Sequence, residues 1–254
     1  MDRQVVCITG ASSGFGLACA HKFSKLGYDT ILVGRRKDRL KALAIEIIET
    51  YKTDAFVVVC DVQAKNDVTA SFLQLPKEIL EKIDILVNNA GLALGREPFY
   101  EGDLADWDRM IDTNVKGLLY VSKFIAPFMI KNKKGHIINI ASIAGKEAYT
   151  GGNVYCATKQ AVDALSRSMR LDLLEHNIKV TNIAPGAADT EFSIVRYHGD
   201  QTKADSTYIG FDPLLAEDVA DAIIYVATRP AHVCINDLVI MPTAQANATT
   251  FFKQ

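Results

Sequence analysis

Residues 5–18 read VVCITGASSGFGLA, and the way this stretch folds decides the architecture of the chain. Val5, Val6, Cys7 and Ile8 run without the polar alternation of a half-exposed strand, so they read as a strand covered on both faces. Gly10, Gly14 and Gly16 follow at once and open an amphipathic stretch over about 14–27. Glycines there allow a tight turn and let the backbone approach an anion seated on the first amides of the helix. Ser12 and Ser13 add hydroxyl donors, and Phe15 lies within the same loop. The spacing is G-x-x-x-G-x-G rather than G-x-G-x-x-G, and a glycine loop alone is a weak signal. Its place between a strand and a helix favours a nucleotide phosphate over a plain turn.

Outward from that unit the same alternation continues. Further β-branched runs stand at 30–34, 55–60, 83–88, 136–142, 178–184 and 237–241, and helix-like stretches at about 37–51, 65–82, 103–132, 153–176 and 216–228. Buried strands separated by helices imply an α/β fold: a doubly wound, Rossmann-type parallel sheet with helices on both faces. No repeat, low-complexity tract or linker divides the chain, so residues 1–254 are expected to form one domain. Residues 185–212 interrupt the rhythm as a long polar loop, a length that in compact domains usually signals function or disorder. Residues 242–254 are small and polar until Phe251 and Phe252, which either dock on a neighbouring subunit or fray.

Composition narrows the function. Lys and Arg number 28 against 30 Asp and Glu, a formal charge of -2, with no basic surplus to draw nucleic acid or anionic lipid. Neither a leader pattern nor an apolar run of about 20 residues is seen, so no membrane partner is expected. The five cysteines are scattered without a CxxC pair, and the five histidines lack ligand spacing. Reduced thiols, no metal and a cytoplasmic setting follow as expectations. Cys156, next to Tyr155, reads as a buried spectator.

The end of the second strand, where an NAD site usually carries an acid for the ribose 2′-hydroxyl, reads VGRRKDRL with Arg35 and Arg36. Two arginines at a helix start oppose the helix dipole and call for an anion; the 2′-phosphate of NADP supplies one. Other strand ends carry polar and small residues: Asp61 and Val62, Asn88 with Ala90 and Gly91, and Ser142. Asp61 is placed to bond the adenine edge. Each segment alone is an ordinary turn signal. In GGNVYCATKQ, residues 151–160, Tyr155 and Lys159 stand one helical turn apart on a common face. Alone the pair favours an ordinary helix turn over catalysis; beside a nucleotide loop it suggests a phenol tuned for proton transfer.

Together, TGASSGFG, NNAG, Asn114 in IDTNVKG, Ser142, YCATK and PGAADTEF resemble, in order and over the whole chain, the short-chain dehydrogenase/reductase family. NNAGLALGREP, GGNVY, TEFSIVR and RPAHVCIN are similar to its NADP-dependent 3-hydroxy acid dehydrogenases, which act on serine and allo-threonine. The resemblance implies Tyr155 as general acid/base and Lys159 as the cation that lowers its pKa and binds the nicotinamide ribose. It implies Ser142 as a hydrogen-bond donor to the substrate oxygen and Asn114 as holder of a water behind Lys159. Pro185, Gly186, Ala188 and Thr190 would flank the pyrophosphate, where Ala188 and Asp189 depart from the usual pattern. Arg196 is the expected partner for a substrate carboxylate, with Lys146 and Lys203 as competitors. The family also implies a homotetramer. The expected substrate is a small 3-hydroxy acid or its keto acid, such as L-allo-threonine, serine or a 3-hydroxyisobutyrate-like compound. The rivals are a general ketone or 3-ketoacyl reductase and a catalytically silent NADPH-binding sensor.

Overall fold

In the computed structural model, which describes residues 3–254, the chain forms a seven-stranded parallel sheet in the order β3-β2-β1-β4-β5-β6-β7. The strands are β1 (Val5–Thr9), β2 (Asp29–Gly34), β3 (Ala55–Val59), β4 (Ile83–Asn88), β5 (Gly135–Ile140), β6 (Ile178–Pro185) and β7 (Asp237–Ile240). Each starts within one residue of its expected position. The helices α1 (Gly14–Lys25), α2 (Lys37–Tyr51), α3 (Lys65–Phe72) and α4 (Lys77–Leu80) belong to the first half. Beyond β4 follow α5 (Leu104–Ile111), α6 (Leu118–Asn132), α7 (Asn153–Asp172), α8 (Glu191–Arg196), α9 (Gln201–Ser206) and α10 (Ala216–Ala227).

Strand period two divides the core. Val6, Ile8, Leu32, Ile85 and Val87 face one side and pack with α1, α2 and α10 through Phe23, Leu40, Ile47, Val219 and Ile223. Val5, Cys7, Ile31, Val33 and Leu86 face the other and pack on Phe72, Val121, Ile125 and Met129 of α3 and α6. Both faces are therefore dry, which is why the strands show no polar alternation. Among the described residues no helix is long and apolar enough to cross a membrane.

Three expectations need correction. The helix expected over 65–82 ends at Phe72 and, after a turn, restarts behind Pro76, which caps α4 and has no N–H to continue a helix from α3. The one expected over 103–132 carries a π-helical turn, Asp112–Gly117, between α5 and α6. Such turns insert a residue and often mark functional sites; this one holds Asn114. The segment 185–212 contains two short helices, α8 and α9, capped by the Thr190 and Asp200 side chains, which accept the Phe192 and Lys203 amides. Six residues are too few to show periodicity. In the tail, Phe251 folds back on its own chain, its ring 5.0 Å from Phe211, while Phe252 is exposed.

Gly117 closes the π-helical turn against β3's exit: a Cβ there would stand 2.8 Å from Val62 Cγ2. Gly117→Val is expected to cost about 2 kcal/mol through overpacking and to lower Tm by ~6 °C. An unchanged melting curve would show that the helix can shift freely there.

Candidate active site

A cleft of about 650 Å³ opens beyond the carboxyl ends of the strands, where the sheet order reverses between β1 and β4. The loop after β1 forms one wall. Gly10 and Gly14 have φ of +68° and +51°, angles that glycine tolerates without strain. Gly16 lies beneath the loop rather than on the cleft; a Cβ there would collide with the Gly10 carbonyl and stand 2.7 Å from Asn89 Nδ2. Asn89 Nδ2 donates to the Thr9 carbonyl at 2.9 Å, and the Asn89 and Ala90 amides donate to Thr9 Oγ1 at 3.0 and 2.9 Å. These bonds hold the ends of β1 and β4 together at the switch point.

Ser12, Ser13, Gly14 and Phe15 line the cleft from the loop, and Asp61 and Val62 from the exit of β3. Ala90 and Gly91 lie on the β4 side; Pro185, Gly186, Ala188 and Thr190 come from the end of β6 and the chain beyond it. Asn88 does not line it. Its side chain is buried and donates to Ser122 Oγ at 2.8 Å and Asn139 Oδ1 at 2.9 Å, in register with β5. Asn89, one residue on, takes the place expected for it. Asp189 is exposed and also absent from the lining.

Arg35 and Arg36 flank the far end of the cleft, with side chains 58% and 41% exposed. Arg35 lies 3.7 Å from an Asp61 oxygen. Arg36 donates to Ser12 Oγ at 2.9 Å, to Ser13 Oγ, and to Glu191 at 2.6 Å. Arg39, which pattern reading did not single out, donates to the other Glu191 oxygen at 2.6 Å. A cradle that only glycine fits, followed by Arg36 on two serine hydroxyls with Arg35 beside it, has the donor set for a dinucleotide bearing an extra phosphate.

Tyr155 and Lys159 sit buried on α7 at the other end. The Lys159 ammonium lies 5.9 Å from the Tyr155 ring centre and donates to the Ile140 carbonyl at 2.8 Å. Ser142 follows β5; its Oγ accepts the Ala144 amide at 3.1 Å, donates to the Pro185 carbonyl at 3.5 Å and lies near enough to Tyr155 to pull its phenol down. Asn114, 2% exposed, is behind the cleft surface. Its Oδ1 accepts the Leu92 amide at 2.8 Å, and its Nδ2 donates to the Leu92 carbonyl and Thr158 Oγ1 at 2.8 and 3.0 Å. Gly91 lets Asn114 and Lys159 approach: a Cβ on it would stand 3.2 Å from Asn114 Oδ1 and 3.3 Å from Lys159 Nζ.

Burial pushes the Tyr155 phenol up and the Tyr149 phenol adds to that, while the Ser142 bond and the Arg196 charge pull it down. Burial lowers Lys159 to about 8. The lysine consequence can be tested on cofactor-free protein. Folded Lys159 releases its proton near 8 against 10.5 for the free side chain, so between those values the unfolded chain holds more protons. Lys159 therefore contributes a rise in stability from pH 8 to about 10. It is opposed from about pH 9 by the buried thiols of Cys7, Cys19, Cys60 and Cys156 and from about pH 10 by the raised phenol, so its component is read from the difference between wild type and a variant. Denaturant titrations of wild type and Lys159→Met check this: the variant loses that component of the rise, and equal pH slopes would contradict it.

Arg196, at the end of α8, holds its guanidinium carbon 5.4 Å from the Tyr155 ring centre and 5.8 Å from that of Tyr149. It donates to the Tyr149 hydroxyl at 2.9 Å and the Gly95 carbonyl at 3.4 Å. Phe192 packs on Tyr155 at 5.8 Å. The competitors lie elsewhere: Lys146 is held by Asp163 and Asp237 at 2.6 and 2.7 Å, and Lys203 is exposed near Asp200 at 3.5 Å. Neither lines the cleft. Tyr149 was missed because it lies in the turn before α7, where no periodicity points to it. Among the described residues no cluster suited to a metal ion occurs.

The family model described as short chain dehydrogenase matches residues 4–200. The chain is 44% identical to the NADP-dependent 3-hydroxy acid dehydrogenase YdfG of Escherichia coli, covering 96% of this chain and 97% of that one. It is 45% identical to sulfoacetaldehyde reductase 2 of Chromohalobacter salexigens, covering 96% of each. Among solved structures, the closed form of serine dehydrogenase complexed with NADP+ superposes with a TM-score of 0.91 at 42% identity, covering 99% of this chain and 100% of that one.

Proposed function

The chain belongs to the short-chain dehydrogenase family, and from that membership we propose an NADP-dependent oxidoreductase acting on small 3-hydroxy acids, with L-allo-threonine, serine and 3-hydroxyisobutyrate-like compounds as substrates. One observation carries the substrate reading: the Arg196 guanidinium carbon stands 5.4 Å from the Tyr155 ring centre, inside the same cleft. A guanidinium there takes the carboxylate in a two-point fit while the hydroxyl three bonds away meets Tyr155 and Ser142. Relatives carry names of the same kind, among them the NADP-dependent 3-hydroxy acid dehydrogenase.

NADP, when bound, accepts or supplies the hydride. The protein's own residues do the rest. Tyr155 takes the hydroxyl proton during oxidation and returns it during reduction, from a phenol that Ser142 and Arg196 pull downward. Ser142 fixes the substrate oxygen. Lys159, with a pKa of about 8, contributes positive charge beneath the phenol and binds ribose hydroxyls. Asn114 holds the backbone at Leu92 and with it the wall opposite Lys159. Phe192 and the aromatic side of the cleft exclude water. We also assign the chain to the cytoplasm, and to a homotetramer whose contacts would cover the exposed Leu104, Ile111, Leu119, Leu171 and Leu174.

A sulfonate fits the same guanidinium as a carboxylate, and the reductase from C. salexigens makes sulfoacetaldehyde the second substrate to try. The cofactor half of the proposal is tested by titrating NADPH and NADH into the protein. NADPH is expected to bind about 100-fold more tightly, as a phosphate held by charged hydrogen bonds requires. Arg36→Met should remove most of that difference. Equal affinity for the two cofactors in wild type would overturn it.

A further inference from the structure

We propose that Glu191 is a built-in competitor for the guanidinium that receives the 2′-phosphate, and that it sets how strongly the protein prefers the phosphorylated cofactor. This rests on the NADP reading above. Arg36 is the arginine most enclosed by phosphate-binding groups, yet all three of its nitrogens are engaged: Nε with Ser12, one terminal nitrogen with Ser13 and the other with Glu191. Glu191 uses both oxygens, each receiving a guanidinium at 2.6 Å, one from Arg36 and one from Arg39. The carboxylate therefore occupies a phosphate-like position between two arginines. A 2′-phosphate that reaches Arg36 must displace this carboxylate or lie beside it, and either course weakens binding.

Local structure explains why the carboxylate points there. Thr190 caps α8, and an acid in the first turn of a helix suits its positive end. As the first residue of α8, Glu191 reaches from the 185–212 segment across to Arg36, just before α2, and to Arg39 within it. A carboxylate beside the adenosine ribose is also what an NAD site uses to hold the 2′-hydroxyl. Glu191 thus opposes NADP and accommodates NAD, against the arginines. The other end of the same six-residue helix carries Arg196, so the exchange of carboxylate for phosphate takes place on the element that holds the substrate arginine.

The test titrates adenosine 2′,5′-bisphosphate and adenosine 5′-monophosphate into wild type, Glu191→Gln and Glu191→Ala by calorimetry, without nicotinamide or turnover. Both variants should bind the bisphosphate about three- to tenfold more tightly, the range for a partly exposed ion pair, with no gain in monophosphate affinity. The gain should shrink as salt is raised and vanish in an Arg36→Met background, since the cycle isolates that pair. Bisphosphate affinity equal to or below wild type in both variants overturns the proposal, and means that Glu191 orders Arg36 for the phosphate. A wild type that fails to distinguish bisphosphate from monophosphate overturns the NADP reading, and this proposal with it.

Discussion

Tyr155→Phe is expected to lower kcat by at least ~10³-fold, the scale of a lost general acid/base, while leaving NADPH affinity within about threefold. The phenyl ring preserves what the tyrosine contributes to packing: contact with Phe192 and a face beneath Arg196. What disappears is one oxygen, the hydroxyl that Ser142 and Arg196 act upon. No other side chain is placed to replace it. Lys159 is engaged with the Ile140 carbonyl, and the Tyr149 hydroxyl accepts a bond from Arg196. Single-turnover kinetics with a fluorescence titration of NADPH separate the chemical step from binding. Turnover close to wild type in the phenylalanine variant would remove Tyr155 from the mechanism.

Arg196→Met should reduce kcat/KM for 3-hydroxy acids by ~10²-fold, as expected when a buried charged hydrogen-bond pair loses one partner. A neutral alcohol of similar size should lose less than about fivefold. The methionine fills comparable space between Tyr149 and Tyr155, so packing is largely kept and the charge is what the substitution removes. Arg196→Lys should restore little, because an ammonium cannot bridge the Tyr149 hydroxyl and a carboxylate in one plane. Equal losses for acid and neutral alcohol would assign Arg196 to shaping the cleft and leave the carboxylate without a named partner. The two variants separate the parts of the site: the first addresses the proton, the second the recognition of the acid.

Much of this was legible in the sequence because strong local signals coincide with the architecture. The central strands are buried on both faces, so they appear as largely apolar runs, while the edge strands β3 and β7 are partly exposed and read as strands from their β-branched content. The glycine loop after β1 marks the switch point directly. Ser142, Tyr155 and Lys159 fall at a strand exit and on one helix face, positions that spacing alone can relate. Other features depend on contacts between distant segments. Glu191 meets Arg36 across 155 positions, and Tyr149 meets Arg196 across 47, distances over which no periodicity carries information. Asn88 and Asn89 differ only in which face of β4's end they occupy, which the strand's exact exit decides. The π-helical turn at Asn114 is hidden because its sequence continues the helical pattern on both sides.

The central claim is that a phosphorylated nicotinamide cofactor and an acid-bearing alcohol meet at Tyr155. Initial NADPH formation by the purified protein, given NADP and L-allo-threonine, measures it most directly, with NAD, L-serine, 3-hydroxyisobutyrate, 2-hydroxyethanesulfonate and a neutral alcohol in parallel. Turnover of the acids with NADP, and little with NAD or with the neutral alcohol, is the predicted result. Turnover of the neutral alcohol alone, or of no acid with either cofactor, would contradict the claim.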